Sequence, residues 1–505
     1  MTLTFVNALV EDLSLKLFGL SEVMTLHRFA RLQLQNATPE RVKVFPKLSA
    51  VVRQDAKVLL GHDVNFETLF CNKSDSAEDI EFYRRRRRYY ARYHYGFTDM
   101  VYATVRLFEK HPKRIPQYSQ VVVDEFQDFN ALEVRLIDLL ASKSPVLLAG
   151  DDDQALYENL KSASTSHIRQ RHRDADSGYE SFTLPYCSRC TRVIVDATNE
   201  VISNATKRGC LCGRIDKPFL YFDDPERDQA SNDNPQLVYG PRHESQIPWF
   251  IAEQIKYIAR EIRDPFTVLL ISPIPKKLKR IVTALRKKGF QNVHYVQRQE
   301  TRPPTLLDGL NLLLEDLASN LGWRVAAEAL LPNDEFRSVL SETADTDSAR
   351  LLRDIIAPES KRKVRALLKS LRAVRNDEAP RDENRIPDLL KQLGVDPLRM
   401  ATESLRDRVK SSAKSFLEYG IRHISIEATT VPGSKGLEAD YVFIMHLDDR
   451  YFMRHADKPR VSDGDICGFV VALTRARRKV FLISSVTKEK PTFVKWIKSE
   501  RIHSI

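Results

Sequence analysis

The spacing of apolar residues changes several times along the chain. In "TLTFVNALVEDLSLKLFGL" (2–20) a strand end gives way to an amphipathic helix, with Leu9, Leu13 and Leu17 at helical spacing. Residues 40–95 read as polar helix and run into "EFYRRRRRYYARYHYGF". "QVVVDEF" (120–126) and "SPVLLAGDDDQ" (144–154) read as strands that end in acids. Near-continuous apolar strands separated by helices predict a parallel α/β sheet. A second set follows, with strands at "PQLVYG" (235–240) and "FTVLLIS" (266–272) and helices over 244–262 and 276–290. Residues 305–418 are helix-rich and charged, with a loop-like "RNDEAPRDENRIPD", and strands return at "YVFIM" (441–445) and "KVFLISS" (479–485). A helical insertion therefore interrupts the second α/β domain.

Composition narrows the class. A chain of 505 residues exceeds one ordinary core, so two to four domains are expected. Lys and Arg total 79 against 68 Asp and Glu, a net +11 that suits a polyanionic partner without demanding one. Six cysteines in this length argue against a disulfide scaffold and for a reducing compartment. The N-terminal stretch has no signal-peptide pattern, and no apolar run reaches the roughly 20 residues that span a bilayer. The expectation is a cytoplasmic protein with no membrane contact.

The chemistry concentrates where strands meet acids. Ligands of parallel sheets sit at the carboxyl ends of the strands. Asp124 and Glu125 occupy one such end and "GDDDQALY" (150–157) another. Carboxylates beside nucleotide phosphates suit Mg²⁺, and an adjacent acid can orient and deprotonate a water. A lone acidic pair is usually a solvated strand end; the two clusters, a helix and a strand apart, argue against that.

These stretches resemble a known set. "VVVDEFQD" and "LLAGDDDQALY" look like motifs II and III of the UvrD/Rep-type superfamily 1 DNA helicases. "TLPYCSRCTRVIVDATNEVI" (183–202), "ATTVPGSKGLEADYVFIM" (428–445) and "FVVALTRARRKVFLI" (469–483) resemble motifs IV, V and VI. "LTFVNALVEDL" (3–13) resembles motif Ia and "TLHRFA" (25–30) the TxHxF element after it. Seven collinear elements are far more specific than any one.

The resemblance implies two RecA-like parallel-sheet α/β domains, the first N-terminally incomplete, each with a helical insertion. Residues 1–35 and 96–182 would form domain 1A and 36–95 insertion 1B. Residues 183–301 and 419–505 would form domain 2A and 302–418 insertion 2B. It implies ATP-driven movement on single-stranded or partly duplex DNA with 3′-to-5′ polarity, and repair-type biology. Asp124 would hold Mg²⁺ and Glu125 would activate the water. Gln154 would sense the γ-phosphate, and Arg189 and Arg475 would reach it. Glu438 would bond the ribose, with Lys435 and Gly436 in the ATP-binding motif V loop. Phe5, Asn7, Thr25, His27 and Tyr157 match DNA-facing positions.

The chain departs from the pattern in places. Motif III continues as "LYENLKSA" rather than aromatic-Arg-Gly-Ala, and Pro432 stands where a histidine is usual. No G-x-x-x-x-G-K-[ST] phosphate loop occurs in the chain, although such a hydrolase needs its amides and lysine. The expectation is that the upstream reading frame encodes a strand, that loop and a helix, and that these 505 residues alone hydrolyse ATP negligibly. "CSRC" (187–190) and "CLC" (210–212) offer four thiols, but the first pair straddles the motif IV arginine instead of forming a zinc knuckle. Two rival readings are a non-catalytic DNA-binding or scaffold subunit derived from a helicase, and an ATPase regulating a partner nuclease or other repair or defence protein.

Overall fold

The computed structural model describes residues 1–4, 7–72, 76–157, 162–174, 178–262, 264–295, 303–347, 350–375, 424–453, 461–487 and 489–505. The chain divides into two compact units. The first comprises residues 1–26, 115–298 and 419–505, and the second residues 27–114 and 299–418.

Among its described residues the first unit holds two large sheets and a two-stranded pair, Tyr186–Cys187 with Leu220–Tyr221, and every strand pairing in them is parallel, the α/β class that the apolar runs predict. One sheet contains β1 (Thr2–Thr4), β2 (Val23–Thr25), β3 (Val121–Val123) and β4 (Val146–Leu148), in the order β2-β1-β3-β4. The other contains β5 (Leu237–Pro241), β6 (Phe266–Ile271), β7 (Val293–Tyr295), β8 (Ile424–Thr429), β9 (Ala439–Ile444), β10 (Ala476–Ser484) and β11 (Ile502–Ser504). Its order is β7-β8-β6-β9-β10-β5-β11. β7 and β8 are neighbours although residues 296–423 separate them in sequence.

The central strands of this sheet are buried on both faces. Val442 and Ile444 pack into one core with Ile194, Val201 and Phe469; Tyr441 and Phe443 pack into the other with Phe250, Ile251 and Leu278. The alternation follows the two-residue period of a strand, and two covered faces explain why the sequence there is apolar throughout. Capping boxes set the starts of flanking helices: Asn130 with Glu133 opens Ala131–Ala141, and Ser462 with Asp465 opens Asp463–Leu473.

The second unit is mainly helical among its described residues. The arginine run lies on the helix Ala77–Ala91, where Arg85 and Arg88 are exposed but Arg86 is buried. Arg86 donates to Asp55 (2.9 Å) and to the Thr343 carbonyl (2.7 Å), and Arg324 donates to the other oxygen of Asp55 (2.8 Å). Burial alone would push the Asp55 carboxyl up, but Arg324 and Arg86 hold it below the usual range. The run is thus not one surface: Tyr83, Arg86 and Tyr90, at helical spacing, face inward. No described helix is long and apolar enough to cross a membrane.

Candidate functional site

A cavity of about 620 Å³ in the first unit is lined by Asp124, Glu125, Gln154, Arg189, Glu438 and Arg475, among others. Lys16 and Gly436 also reach its wall. Motifs II to VI therefore converge on one space.

Asp124 and Glu125 follow directly on β3. Glu125 takes a left-handed backbone conformation (φ 58°), and its amide donates to Asp124 Oδ1 at 2.9 Å. Such a conformation is costly for a side-chain-bearing residue and is held here by its surroundings. The Gln127 amide group donates to Glu125 Oε2 at 2.7 Å, and Gln127 Oε1 accepts from the Asp151 amide at 3.0 Å. Gln127 thus ties the end of β3 to the loop after β4. Gly150 makes this possible, since a Cβ there would lie 2.5 Å from Gln127 Oε1 and 2.8 Å from Ile168 Cδ1.

The two acids are shifted in opposite directions. Burial, and then the Glu125 charge, push the Asp124 carboxyl up to about 6. Burial acts on Glu125 in the same direction, but the Lys435 ammonium outweighs it and holds that carboxyl below the usual range. Lys435 is buried, with Nζ 3.0 Å from Glu125 Oε2, 2.5 Å from Asp128 Oδ2 and 2.9 Å from the Gln154 carbonyl. Gly436 follows it with φ 82°, a conformation open to glycine.

The arginines reach the cavity from the turn before β10 and from the turn before the helix Arg192–Lys207. Arg475 is buried; its Nη2 donates to Gln154 Oε1 at 3.0 Å and its Nε to the Val471 carbonyl at 3.0 Å. Burial, and next the charge of Arg189, push its guanidinium down to about 10. Arg189 donates through Nε to Glu438 Oε2 at 2.7 Å and through Nη1 to the Thr474 carbonyl at 3.3 Å. Glu438 also pairs with Arg477. Burial works against the ionised Glu438, but Arg477 and Arg189 together hold it below the usual range.

The DNA-facing candidates have separate surroundings. Phe5 lies outside the described residues, and Asn7 opens the helix Asn7–Lys16. Thr25 is buried at the end of β2, opposite Thr4. His27 lies in the second unit, edge-on to Phe97 with ring centroids 5.2 Å apart. Tyr157 is buried and donates its hydroxyl to the Pro432 carbonyl at 3.0 Å. Residues 158–161 of the motif III departure lie outside the described residues.

Sequence reasoning missed Gln127, Asp128 and the cations that neutralise the Asp triplet. Lys217 Nζ lies 3.0 Å from both Asp151 and Asp153, and also pairs with Asp152. Arg169 donates to Asp152 at 2.8 Å and Arg214 to Asp153 at 2.7 Å. Three adjacent acids need such partners if they are buried, and "GRIDK" supplied two. Asp151–Asp153 are close enough to share a metal ion, but these cations already meet their charge. The four thiols of the two cysteine clusters form no such group among the described residues.

Asp124 and Glu125 form a hard-oxygen pair on a cavity wall that also presents guanidinium groups. That donor set fits a divalent cation such as Mg²⁺ bound with polyphosphate oxygens.

The chain also matches known families. Residues 72–176 match the UvrD/REP helicase N-terminal domain and residues 334–487 the UvrD-like helicase C-terminal domain. Among curated relatives, the ATP-dependent DNA helicase PcrA of Staphylococcus aureus is 22% identical over 451 residues, covering 78% of this chain and 59% of that protein. PcrA of Staphylococcus epidermidis is 23% identical over 446 residues with the same coverage. DNA helicase II of Haemophilus influenzae is 33% identical over 117 residues, covering 22% of this chain and 16% of that protein. The chain spans about three fifths of the length of the PcrA relatives it matches along most of its own length.

Proposed function

We infer that this chain, which belongs to the UvrD/Rep-type superfamily 1 DNA helicases, couples ATP hydrolysis at the motif II–VI cavity to 3′-to-5′ movement along single-stranded DNA. The observation that carries this reading is the convergence of Asp124, Glu125, Gln154, Arg189, Glu438 and Arg475 on one cavity. Asp124 would hold Mg²⁺, which would neutralise phosphate charge. Glu125, kept ionised by Lys435, is the group able to take a proton from an attacking water. Arg475 and Arg189 present forked donors suited to charge spread over phosphoryl oxygens. Gln154 accepts from Arg475 through its side chain and from Lys435 through its backbone carbonyl, so a change at the phosphate end reaches motifs V and VI through one residue.

In a form of the protein that turns ATP over, Glu125→Gln should abolish turnover and keep nucleotide binding, since shape is retained and the base is lost. Turnover equal to wild type in that variant would overturn the assignment. Duplexes with 3′ or 5′ single-stranded tails test the direction of movement. Hydrolysis stimulated by DNA without strand separation would instead mark an ATPase that switches a partner.

A further inference from the structure

We propose that an apolar ribbon in the first unit docks a basic amphipathic helix of a partner protein. The strands Tyr186–Cys187 and Leu220–Tyr221 run parallel, with Tyr186 opposite Leu220 and Cys187 opposite Tyr221. Exposure alternates along both segments. Cys187, Phe219 and Tyr221 turn inward and pack against the core that holds Ile194 and Phe469. Leu184, Tyr186, Leu220 and Phe222 alternate with them and are exposed, Leu184 by 92%, and Phe182 continues the stripe at 75%. The rings of Tyr186 and Phe222 meet edge-on with centroids 6.0 Å apart, which joins the stripe across the two strands. A strand with one covered face normally carries polar side chains on the other; here both faces are apolar. Scattered apolar residues on a surface are ordinary, but a contiguous group of large ones marks an interaction site.

Shape and charge select the occupant. The stripe lies on the face of the ribbon, so a strand added at an edge would leave it uncovered, whereas a helix laid along it would cover it. In this register Phe222 stands level with Ser188, six residues beyond Phe182. That is about 20 Å of extended chain, the length of about 13 residues of helix. Two strands roughly 4.8 Å apart present a width that one helix of about 10 Å fills. Both ends of the ribbon are acidic, with Glu180 and Asp216 at its start and Asp223 and Glu226 just past Phe222, all exposed. Glu180, Asp223 and Glu226 make no ion pair among the described residues. The cations nearby are engaged: Arg192 pairs with Asp228 at 3.1 Å, Arg227 with Asp224 at 3.8 Å, and Arg173 donates to the Arg214 carbonyl at 3.0 Å. Unpaired carboxylates repel nucleic acid and anionic lipid, and they favour a partner with Lys or Arg beside its apolar stripe. They also oppose a second copy, because a two-fold pairing of ribbons sets acidic ends against acidic ends.

The test uses the 505-residue chain and a fluorescent synthetic peptide about 14 residues long, with leucines along one helical face and lysines on the other. Two control peptides carry glutamates in place of the lysines, or the same leucines and lysines in strict alternation. Fluorescence anisotropy should show the helical Leu/Lys peptide binding at least tenfold more tightly than either control. Leu184→Ser with Phe222→Ser should weaken it at least tenfold and leave the melting temperature unchanged, since both side chains are exposed. Trp249→Ser with Tyr257→Ser, which alters exposed rings on the helix Ile247–Glu261, should bind as wild type does. If the Leu184/Phe222 variant fails to fold, Asp223→Asn with Glu226→Gln decides, with an expected loss of at least threefold at low salt. Amide exchange over residues 182–187 and 219–222 should slow when the peptide is added. The proposal is overturned if the peptide does not bind wild type, if the alternating or glutamate peptide binds equally well, or if the ribbon variants bind unchanged. It is overturned too if the Trp249/Tyr257 change weakens binding as much, which would mark adhesion to any apolar surface. A wild-type dimer in analytical ultracentrifugation that Leu184→Ser with Phe222→Ser dissolves would give the ribbon to a second copy instead.

Discussion

Lys435→Met is the most informative single change at the cavity. The methionine keeps the length of the stem and removes the ammonium that faces Glu125 at 3.0 Å and Asp128 at 2.5 Å. At an effective dielectric of about 20, each contact is worth roughly 5–7 kcal/mol of gross attraction. Most of that offsets the desolvation of the three groups, whose Lys435 and Asp128 side chains are fully buried. Removing one partner of a buried pair leaves the others uncompensated and typically costs about 3–5 kcal/mol. For a unit of a few hundred residues, at about 2 °C per kcal/mol, the melting temperature should fall by roughly 6–10 °C at pH 8. The sign of the pH dependence follows from Glu125. Its folded-state carboxyl lies below the usual range because of Lys435, so that stabilisation is present above the unfolded value and fades as pH falls through the folded one. The wild-type advantage should therefore shrink steadily in acid, as the carboxyls become neutral. Adding Asp128→Asn to Lys435→Met should recover part of the loss at pH 8. Differential scanning calorimetry between pH 4 and 8 reads all three quantities. A variant within 1 °C of wild type at pH 8 would refute the buried ion cluster.

Four further expectations can be checked separately. Without Mg²⁺, Asp124→Asn should stabilise the protein by about 1–3 kcal/mol at pH 8, because a carboxyl pushed up to about 6 is ionised there at a cost; the gain should disappear as pH falls from about 6 to about 4, and a gain independent of pH would refute it. Arg86→Gln should destabilise the second unit by about 3–5 kcal/mol in urea unfolding. Arg85→Gln with Arg88→Gln should leave stability alone and lower the salt slope of single-stranded DNA binding by about 0.7 per lost phosphate contact, and an unchanged slope would assign both to a solvated face. Tyr157→Phe should cost about 1 kcal/mol through the lost bond to the Pro432 carbonyl and, since the ring is kept, leave DNA affinity unchanged; a weakened affinity would mean the hydroxyl itself meets DNA.

The parallel class was legible because it rests on local pattern. Three valines ending in Asp124 can be read from eight residues, and the two-sided burial of β9 and β10 shows as unbroken apolar runs. The gathering of the cavity residues could be anticipated because the order of motifs stands in for distance. Partners chosen across long separations had no such signal. Lys435 looked like part of a tight loop, and its contact with Asp128 joins segments more than 300 residues apart. The arginine run shows the intermediate case. Five cations in a row suggest a surface, yet Tyr83, Arg86 and Tyr90 already carry the inward stripe of a helix. The stripe was visible; Asp55, which makes burial of Arg86 tolerable, was not.

The pairing of Arg189 and Arg475 limits how the cavity can work. Neither guanidinium is idle: Arg189 is bonded to Glu438 and Thr474, and Arg475 to Gln154, Val471 and Leu437. If they serve a phosphate, its arrival is an exchange of partners rather than the filling of empty valences. The Nε of Arg189 faces a carboxylate that Arg477 also holds, so Glu438 keeps a cation when Arg189 leaves. That second cation lowers the cost of the exchange, since Glu438 is not left charged and alone. Arg475 has no such relief. It is buried and pushed down to about 10, so a negative charge brought near it gains more than the same charge in water. Arg189 is thus the movable member of the pair and Arg475 the fixed one.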